Sequence, residues 1–440
     1  MRDLSLTLAL GVLVGCSGGA ATPPTALPDA GSLPPITAPD AAVDDPAWQV
    51  TLSRTWALKA DGLTAGDREV TVRVAAPADA ADVRASVDDG PARAALRAPD
   101  GSWSATLPVA DLAPGAHAVR VAAGASPAAV ATRPLQVSFA AYVVVSTDWD
   151  DTRFTDSYLR RIEQLREHHP GLVYSHFFAP YHYTDPEVND ARETQIEAWV
   201  KAQRDQHGDE LGVHIHGWCH FVTAAGVPCR VQPAYAPNDT SGYVTVLAAY
   251  TVDEMAAQLR YAVQLFAQHG LGRPTSFRAG GWTADLGTLR ALDATGFTVD
   301  SSAMRPDRIA SWRGYLLYDW NEANWTGITD TSQPYHPSDT DITRGAPARP
   351  MRVLEVPDNG ILVDYITGPA MVAVYEANAP EGRPLSRPTL FQVGFHPPNF
   401  SPTYQLRMET ALSHVDAHLA SADRGPAVYA RISDLTRVWR

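Results

Sequence analysis

The sequence contains no apolar run of about 18 residues or more, so nothing in it reads as a bilayer-spanning helix. Basic side chains are also scarce: 35 against 49 acidic ones, a formal net charge of −14. A nucleic-acid partner normally requires a basic face, so this balance argues against one. It equally disfavours a strongly anionic polymer as substrate unless a local basic patch compensates. Cysteine is limited to three positions, 16, 219 and 229. No internal repeat is visible. What is present is enough apolar material, 45% of residues against 19% charged, to bury a core in a chain of 440 residues. That length allows two or three domains. The 35 prolines are unevenly spread.

The prolines gather near the start. Residues 4–14 are an apolar stretch too short to span a bilayer, and it ends in Leu13-Val14-Gly15-Cys16. This resembles a bacterial lipoprotein signal, in which small residues precede a cysteine that is acylated. The resemblance implies export and a lipid anchor on Cys16 as the only membrane attachment, and Ser17 is compatible with outer-membrane sorting. Residues 1–16 are then a signal and residues 17–46, rich in Ala, Pro, Thr and Gly, an extended tether. In an exported chain Cys219 and Cys229 are a disulfide candidate. A pair of metal-binding thiolates is the alternative, although ten residues of separation is not a usual zinc spacing.

Residues 47–138 are expected to form a small all-β, immunoglobulin-like sandwich. Runs at 49–56, 68–75, 83–87, 94–97, 102–107 and 117–122 alternate roughly with period two, and turn signals such as Asp89-Gly90, Asp100-Gly101 and Pro114-Gly115 separate them. From residue 139 to 440 strands and helices alternate. Strands are expected at 142–147, 173–178, 210–216, 275–278, 297–300, 352–356, 390–396 and 427–430. Helices are expected at 153–168, 186–206, 251–268, 286–294 and 403–419, the third opened by a Thr251–Glu254 capping box. Repeated βα units predict an α/β fold, a distorted (β/α) barrel. Residues 301–350 read as an elaborated loop region.

Four polar clusters stand at strand ends, where such a barrel places its active site. Asp148 and Asp150 are two apart and share a face of an extended chain, and two ionised carboxylates side by side call for a cation. Asp151 can cap the helix that follows. His214 and His216 also share a face, and His220 lies one helical turn further; three imidazoles in seven residues suggest a metal. Arg278, followed by Gly280 and Gly281, offers a fixed cation and exposed backbone N–H groups. His396 ends a buried strand, stopped by Pro397 and Pro398. Trp149, Trp218 and Trp282 lie beside these clusters and are candidates for stacking on sugar faces, or for the core.

In order and type the clusters resemble the polysaccharide deacetylase family, carbohydrate esterase family four. That family reads Thr-Phe-Asp-Asp-Gly, then two histidines after a Glu-Leu-Gly lead, then an arginine motif, then a late histidine. Here the counterparts are Thr147-Asp148-Trp149-Asp150, Glu210-Leu211-Gly212 before His214, Arg278, and His396. The resemblance implies Asp148 as catalytic base, oriented by Arg278, and Asp150 as a ligand of a divalent metal, zinc in the first instance. It implies His214 as a second ligand; because Trp218 stands where the family has its second histidine, the third is His216 or His220, with His216 favoured because strand alternation already puts it on the face of His214. It further implies the Gly281 N–H as oxyanion donor, His396 as general acid, and an N- or O-acetylated glycan of the cell envelope or extracellular matrix as substrate. The arginine motif lacks its proline, and Gly281 replaces its aromatic residue. Two other readings stay open: a related metal-dependent hydrolase acting on another C–N or a glycosidic bond, and a glycan-binding lipoprotein without turnover.

Overall fold

The computed structural model describes Ile36 and residues 45–236, 238–345 and 348–440. The expected signal with Cys16, and all of the expected tether except Ile36, Asp45 and Pro46, lie outside these residues. Among the described residues no helix is long and apolar enough to cross a membrane.

The first unit is built from nine short strands: β1 (Gln49–Leu52), β2 (Trp56–Leu58), β3 (Glu69–Ala75), β4 (Arg84–Val87), β5 (Arg93–Ala94), β6 (Leu96–Arg97), β7 (Trp103–Pro108), β8 (Gly115–Ala122) and β9 (Ala131–Ser138). They make two sheets, β1-β3-β7-β6 and β2-β9-β8-β4-β5. In β3 the side chains alternate: Val70, Val72 and Val74 point inward and Glu69, Thr71 and Arg73 outward. The inward valines meet Val119, Val121, Leu135 and Val137 of the other sheet in one apolar core.

Two expected strands turn out to be crossings between the sheets. Residues 49–56 split into β1 and β2, and residues 94–97 divide between β5 and β6, each half in a different sheet. Edge strands that switch sheets let two sheets close around one core. Strand β9 is not among the expected runs, and Pro134 lies in its middle. It is tolerated there because β2 pairs with β9 only from Gln136 onward, so the missing N–H opposes no partner on that side.

The second unit alternates strand and helix: β10 (Ala141–Asp148), α1 (Asp156–His168), β11 (Tyr174–Phe178), α2 (Asp190–His207), β12 (Glu210–Ile215), α3 (Cys219–Ala224), α4 (Val252–Gln268), β13 (Ser276–Ala279), α5 (Leu286–Thr295), β14 (Val299–Asp300), α6 (Leu316–Trp325), β15 (Leu354–Glu355), α7 (Gly368–Asn378), β16 (Thr389–Phe395), α8 (Pro402–Asp416) and β17 (Ala427–Tyr429). The parallel sheet runs β15-β14-β13-β12-β11-β10-β16, with β17 beside the start of β10. Beyond β15 the chain carries the pairing across to the opposite edge. Asp358 bridges to Met304, Leu362 bridges to Gly394, and the N–H groups of Gly360 and Val363 donate to Gln392 and Gly394, each at 2.8 Å. The curled sheet thus meets its own far edge through bridges rather than a full strand, a distorted parallel barrel.

Local chemistry sets the helix starts. Thr251 and Glu254 form the expected capping box on α4. Helix α2 begins at Asp190, later than expected, because the Asn189 side chain accepts the Arg192 N–H as its cap. The region 301–350 is more structured than expected: it holds α6 and a 3-10 stretch, Pro306–Trp312.

The two units are joined by specific bonds. The Asp423 carboxylate, on the barrel, accepts the N–H groups of Thr55 and Trp56 at 2.7 and 2.8 Å and the Thr55 hydroxyl at 3.0 Å. The Tyr142 hydroxyl donates to Asp61 at 2.8 Å. Replacing Asp423 by Ala strands two backbone donors at this seam. It is expected to lower stability by about 1–2 kcal/mol, read as a lower urea midpoint of the full chain.

Candidate active site

Of the residues singled out at strand ends, Asp148, Asp150, His214, His216, Gly281, Trp282 and His396 line one cavity of about 200 Å³ and Arg278 is buried behind Asp148, whereas Asp151, Trp149, Trp218 and His220 do not line it. Asp148 closes β10 and Asp150 follows two residues later. Between them Trp149 points the other way, fully buried against Phe178 and Trp199, with its indole N–H donated to Thr147 Oγ1 at 2.9 Å. It belongs to the core and has no face free for a sugar.

His214 lies in β12 and His216 just past its end. The strand stays extended through this point, so both rings reach the cavity, 4.9 Å apart. Their Nε2 atoms stand 3.2 and 3.4 Å from the same oxygen, Asp150 Oδ1. His214 Nδ1 donates to the Arg278 carbonyl and His216 Nδ1 to the Tyr243 carbonyl, each at 3.0 Å. A carbonyl only accepts, so it holds the proton on Nδ1 and leaves the Nε2 lone pair facing Asp150. Burial lowers the His216 pKa and outweighs the pull of the Asp150 carboxylate, keeping the ring neutral.

Two lone pairs and a carboxylate oxygen in mutual contact repel unless a cation sits among them. Asp150, His214 and His216 are thus a fitting donor set for a divalent ion: two imidazole nitrogens and one carboxylate. His220 is not part of the set. It sits on α3, its Nδ1 2.8 Å from Thr184 Oγ1 and its ring tilted against Trp218. The turn into α3 carries it away from the face that His214 and His216 share. Trp218 itself packs against Tyr181 and Tyr243. Cys219 and Cys229 form a disulfide.

Arg278, on β13, is fully buried. Its guanidinium donates to Asp148 Oδ1 at 2.9 Å, Ser146 Oγ at 3.0 Å, and the Ser301 carbonyl and hydroxyl, both at 2.8 Å. Asp358 Oδ2 lies 3.5 Å away on the same side. Burial raises the Asp358 pKa to about 6 despite the arginine's pull. Behind them Asp300 and Glu355 are buried as a pair. Burial raises both, Asp300 to about 6 and Glu355 further, the Glu355 shift compounded by the neighbouring Asp300 carboxylate. Both shifts favour the uncharged forms, which works against a build-up of negative charge behind Arg278.

His396, just past β16, faces Asp150 across the cavity, with Nε2 3.7 Å from Asp150 Oδ2 and Nδ1 donating to Asp364 Oδ2 at 3.0 Å. Burial opposes its charged form, but the carboxylates of Asp150 and Asp364 prevail and raise its pKa to about 10. Gly281 also lines the cavity, at φ +61°. Its neighbour Gly280 has a steric role that the sequence left unassigned: a Cβ there would stand 2.6 Å from the His216 ring.

Several cavity residues were not legible beforehand. Asp364 and Tyr365 follow the bridging segment, Trp312 and Leu317 come from the region read as loop, and Tyr235 and Tyr243 from the stretch after the disulfide. Tyr243 makes three contacts with the donor set. Its hydroxyl donates to Asp150 Oδ2 at 2.8 Å, its carbonyl accepts from His216, and its ring stacks on His216 at 4.2 Å. The disulfide backs this segment: the Cys219 N–H donates to Ser241 at 2.8 Å, and a Cβ on Gly242 would lie 3.1 and 3.2 Å from the two sulfurs. Of the expected stacking tryptophans, Trp282 does line the cavity.

No family model matches the chain, and no curated protein matches it in sequence. Solved structures do resemble it. A family 4 carbohydrate esterase from Streptomyces lividans, in complex with acetate, is 12% identical with a TM-score of 0.34, covering 68% of this chain and 97% of its own. A family 4 acetyl xylan esterase from Clostridium thermocellum, in complex with a cobalt ion, is 10% identical with a TM-score of 0.32, covering 67% and 89%. A 4-alpha-glucanotransferase from Thermococcus litoralis is 9% identical with a TM-score of 0.39, covering 67% and 40%. The chain is thus structurally similar to family 4 deacetylases, but at such scores the likenesses assign no chemistry, which has to come from the side chains.

Two substitutions probe the donor set. Gly280→Ala pushes the His216 ring aside, and Tyr243→Phe removes the hydroxyl from Asp150 while keeping the stacked ring. Loss of an outer partner of a metal ligand typically costs about 10–100-fold in affinity. Both variants are expected to weaken zinc binding within that range, measured by titration calorimetry.

Proposed function

We propose that the chain is a metal-dependent hydrolase that removes acetyl groups from N- or O-acetylated glycans. One observation carries this reading: two imidazole nitrogens and a carboxylate converge on one point, between a second carboxylate gripped by a buried arginine and a histidine charged by two acids. An ion site flanked by a candidate base and a candidate acid is what hydrolysis of an acyl bond requires.

Asp150, His214 and His216 would hold the ion, most suitably zinc given two nitrogens and one oxygen. Such an ion supplies Lewis acidity toward the acetyl carbonyl and activates water. Asp148 accepts the proton of the attacking water. Arg278 keeps that carboxylate oriented through a charge-assisted hydrogen bond. The Gly281 N–H assists the developing oxyanion. His396, positioned by Asp364, gives its proton to the departing amine or alkoxide, so that acetate and a free amine or hydroxyl result. Aromatic side chains in the cavity wall, Tyr235, Trp282, Trp312 and Tyr365 among them, suit the apolar faces of a sugar. The net charge of −14 favours a neutral glycan over a strongly anionic one.

We further place the chain at the bacterial cell envelope, lipid-anchored through Cys16; the Cys219–Cys229 disulfide supports an oxidising compartment. The first unit we take to be an immunoglobulin-like spacer.

The test is acetate release from chitooligosaccharides, acetylated xylan and peptidoglycan by the purified chain. Release is expected to stop on chelation and return with zinc. Asp148→Asn keeps an acceptor for Arg278 but loses the base, so kcat should fall about 10²–10⁴-fold with zinc binding retained. Acetate release indifferent to chelator, or glycan binding without release by the zinc-loaded protein, would remove the reading.

A further inference from the structure

A second group of metal-type donors, none of which lines the cavity, lies where α7 and α8 pack together. Both helices run parallel, as βα-barrel helices do, and the residues in question sit at their C-terminal ends, on the face of the barrel opposite the cavity. Glu376 is in the last turn of α7. His414 is in the last turn of α8, and His418 follows it by four positions, the spacing that sets two side chains on one side of a helix. One donor atom from each of the three lies within 4.8 Å of the others.

The hydrogen bonds aim these atoms. His418 is buried, and its Nδ1 donates to the His414 carbonyl at 2.9 Å, which leaves its Nε2 as a lone-pair donor to a ligand. Glu376 Oε2 already accepts the Glu381 N–H at 2.8 Å, while Oε1 turns to His414 Nε2 at 2.5 Å. A polar group beside them has no other employment. The Tyr375 hydroxyl is buried with no hydrogen-bond partner among the described residues, and its ring lies 5.5 Å from that of His414 and 5.8 Å from that of His418. Among the described residues no lysine or arginine pairs with the Glu376 carboxylate, which has His414 as its partner. By contrast, the cluster of Glu193, Glu197 and His269 has Lys201 on Glu197 and is satisfied as an ion pair.

We propose that Glu376, His414 and His418 form a second divalent-metal site, of the zinc, copper or nickel class, that staples α7 to α8. Imidazole with carboxylate suits these ions over calcium or magnesium. Asp364 precedes α7 by four residues and His396 precedes α8 by six, so the staple joins the two helices that follow the acid and its partner. The site takes no part in the chemistry; it ties down the helices that frame it.

Zinc stoichiometry of the full chain tests this, by mass spectrometry after removal of loose ions and by titration calorimetry. Wild type is expected to bind two equivalents. Asp150→Asn with His214→Ala should retain one, and His418→Gln, which keeps a donor for the His414 carbonyl, should lose one without losing acetate release. Cobalt added to the Asp150→Asn, His214→Ala protein should give a visible absorption band that His414→Gln abolishes. Zinc should also raise the melting temperature of that protein, and not once His414 is replaced. A single equivalent that disappears with Asp150 and His214 overturns the second site and leaves the proposed function standing. A single equivalent that disappears with His414 upholds the second site and overturns the first.

Discussion

The candidate site depends on one contact: two imidazole nitrogens, of His214 and His216, pressed within 3.4 Å of the same carboxylate oxygen of Asp150. Each of these groups could otherwise turn toward water or another donor. Here they cannot turn. The carbonyls of Arg278 and Tyr243 hold the two Nδ1 protons, the Tyr243 hydroxyl holds the other oxygen of Asp150, and Gly280 leaves the His216 ring the only space it can occupy. Four backbone segments thus fix an arrangement that suits a bound cation.

The same economy explains the buried arginine. A fully desolvated guanidinium is costly unless every donor is met and its charge is balanced. Arg278 meets Asp148, Ser146 and Ser301, and its Coulomb balance extends to Asp358 and the Asp300–Glu355 pair. Had all four acids been ionised, the site would carry excess negative charge. Burial raises the pKa of Asp300, Glu355 and Asp358, which opposes that excess and leaves the arginine available to Asp148. Strain is placed close by. Trp282 adopts φ +57°, a conformation that costs a non-glycine residue about 1–3 kcal/mol, and its indole N–H reaches Asp358 at 3.2 Å.

Much of this centre could be read from residue types, because strand alternation is a local rule. Asp148 with Asp150, and His214 with His216, needed only period two to be placed on common faces, with Trp149 turned to the core between the carboxylates. The rule also ends where the strand ends: His220 was a reasonable rival on sequence spacing, and only the direction of the α3 turn removes it. The residues that escaped are those whose position depends on long-range closure. Asp364 reaches His396 because the chain beyond β15 bridges to β16, and nothing in 358–363 has a strand's alternation. Tyr243 reaches Asp150 because a disulfide-backed excursion returns over the sheet. In the sandwich, two runs that alternate correctly are still not single strands, since period two says which side a residue faces and nothing about which sheet it joins.

Closure of the barrel and completion of the site are consequently one event. The segment that carries the hydrogen bonding from β14 to β16 also carries Asp358 to Arg278 and Asp364 to His396. Opening that bridge would cost the arginine one of its acids and the histidine its partner together, while leaving Asp150, His214 and His216 on strands that pair elsewhere. The groups proposed as ligands stand at the ends of β10 and β12, and His396 stands at the end of β16, which pairs with β10 all the way from Ala141 to Thr147, so the bridge supplies only the partner that orients the His396 ring.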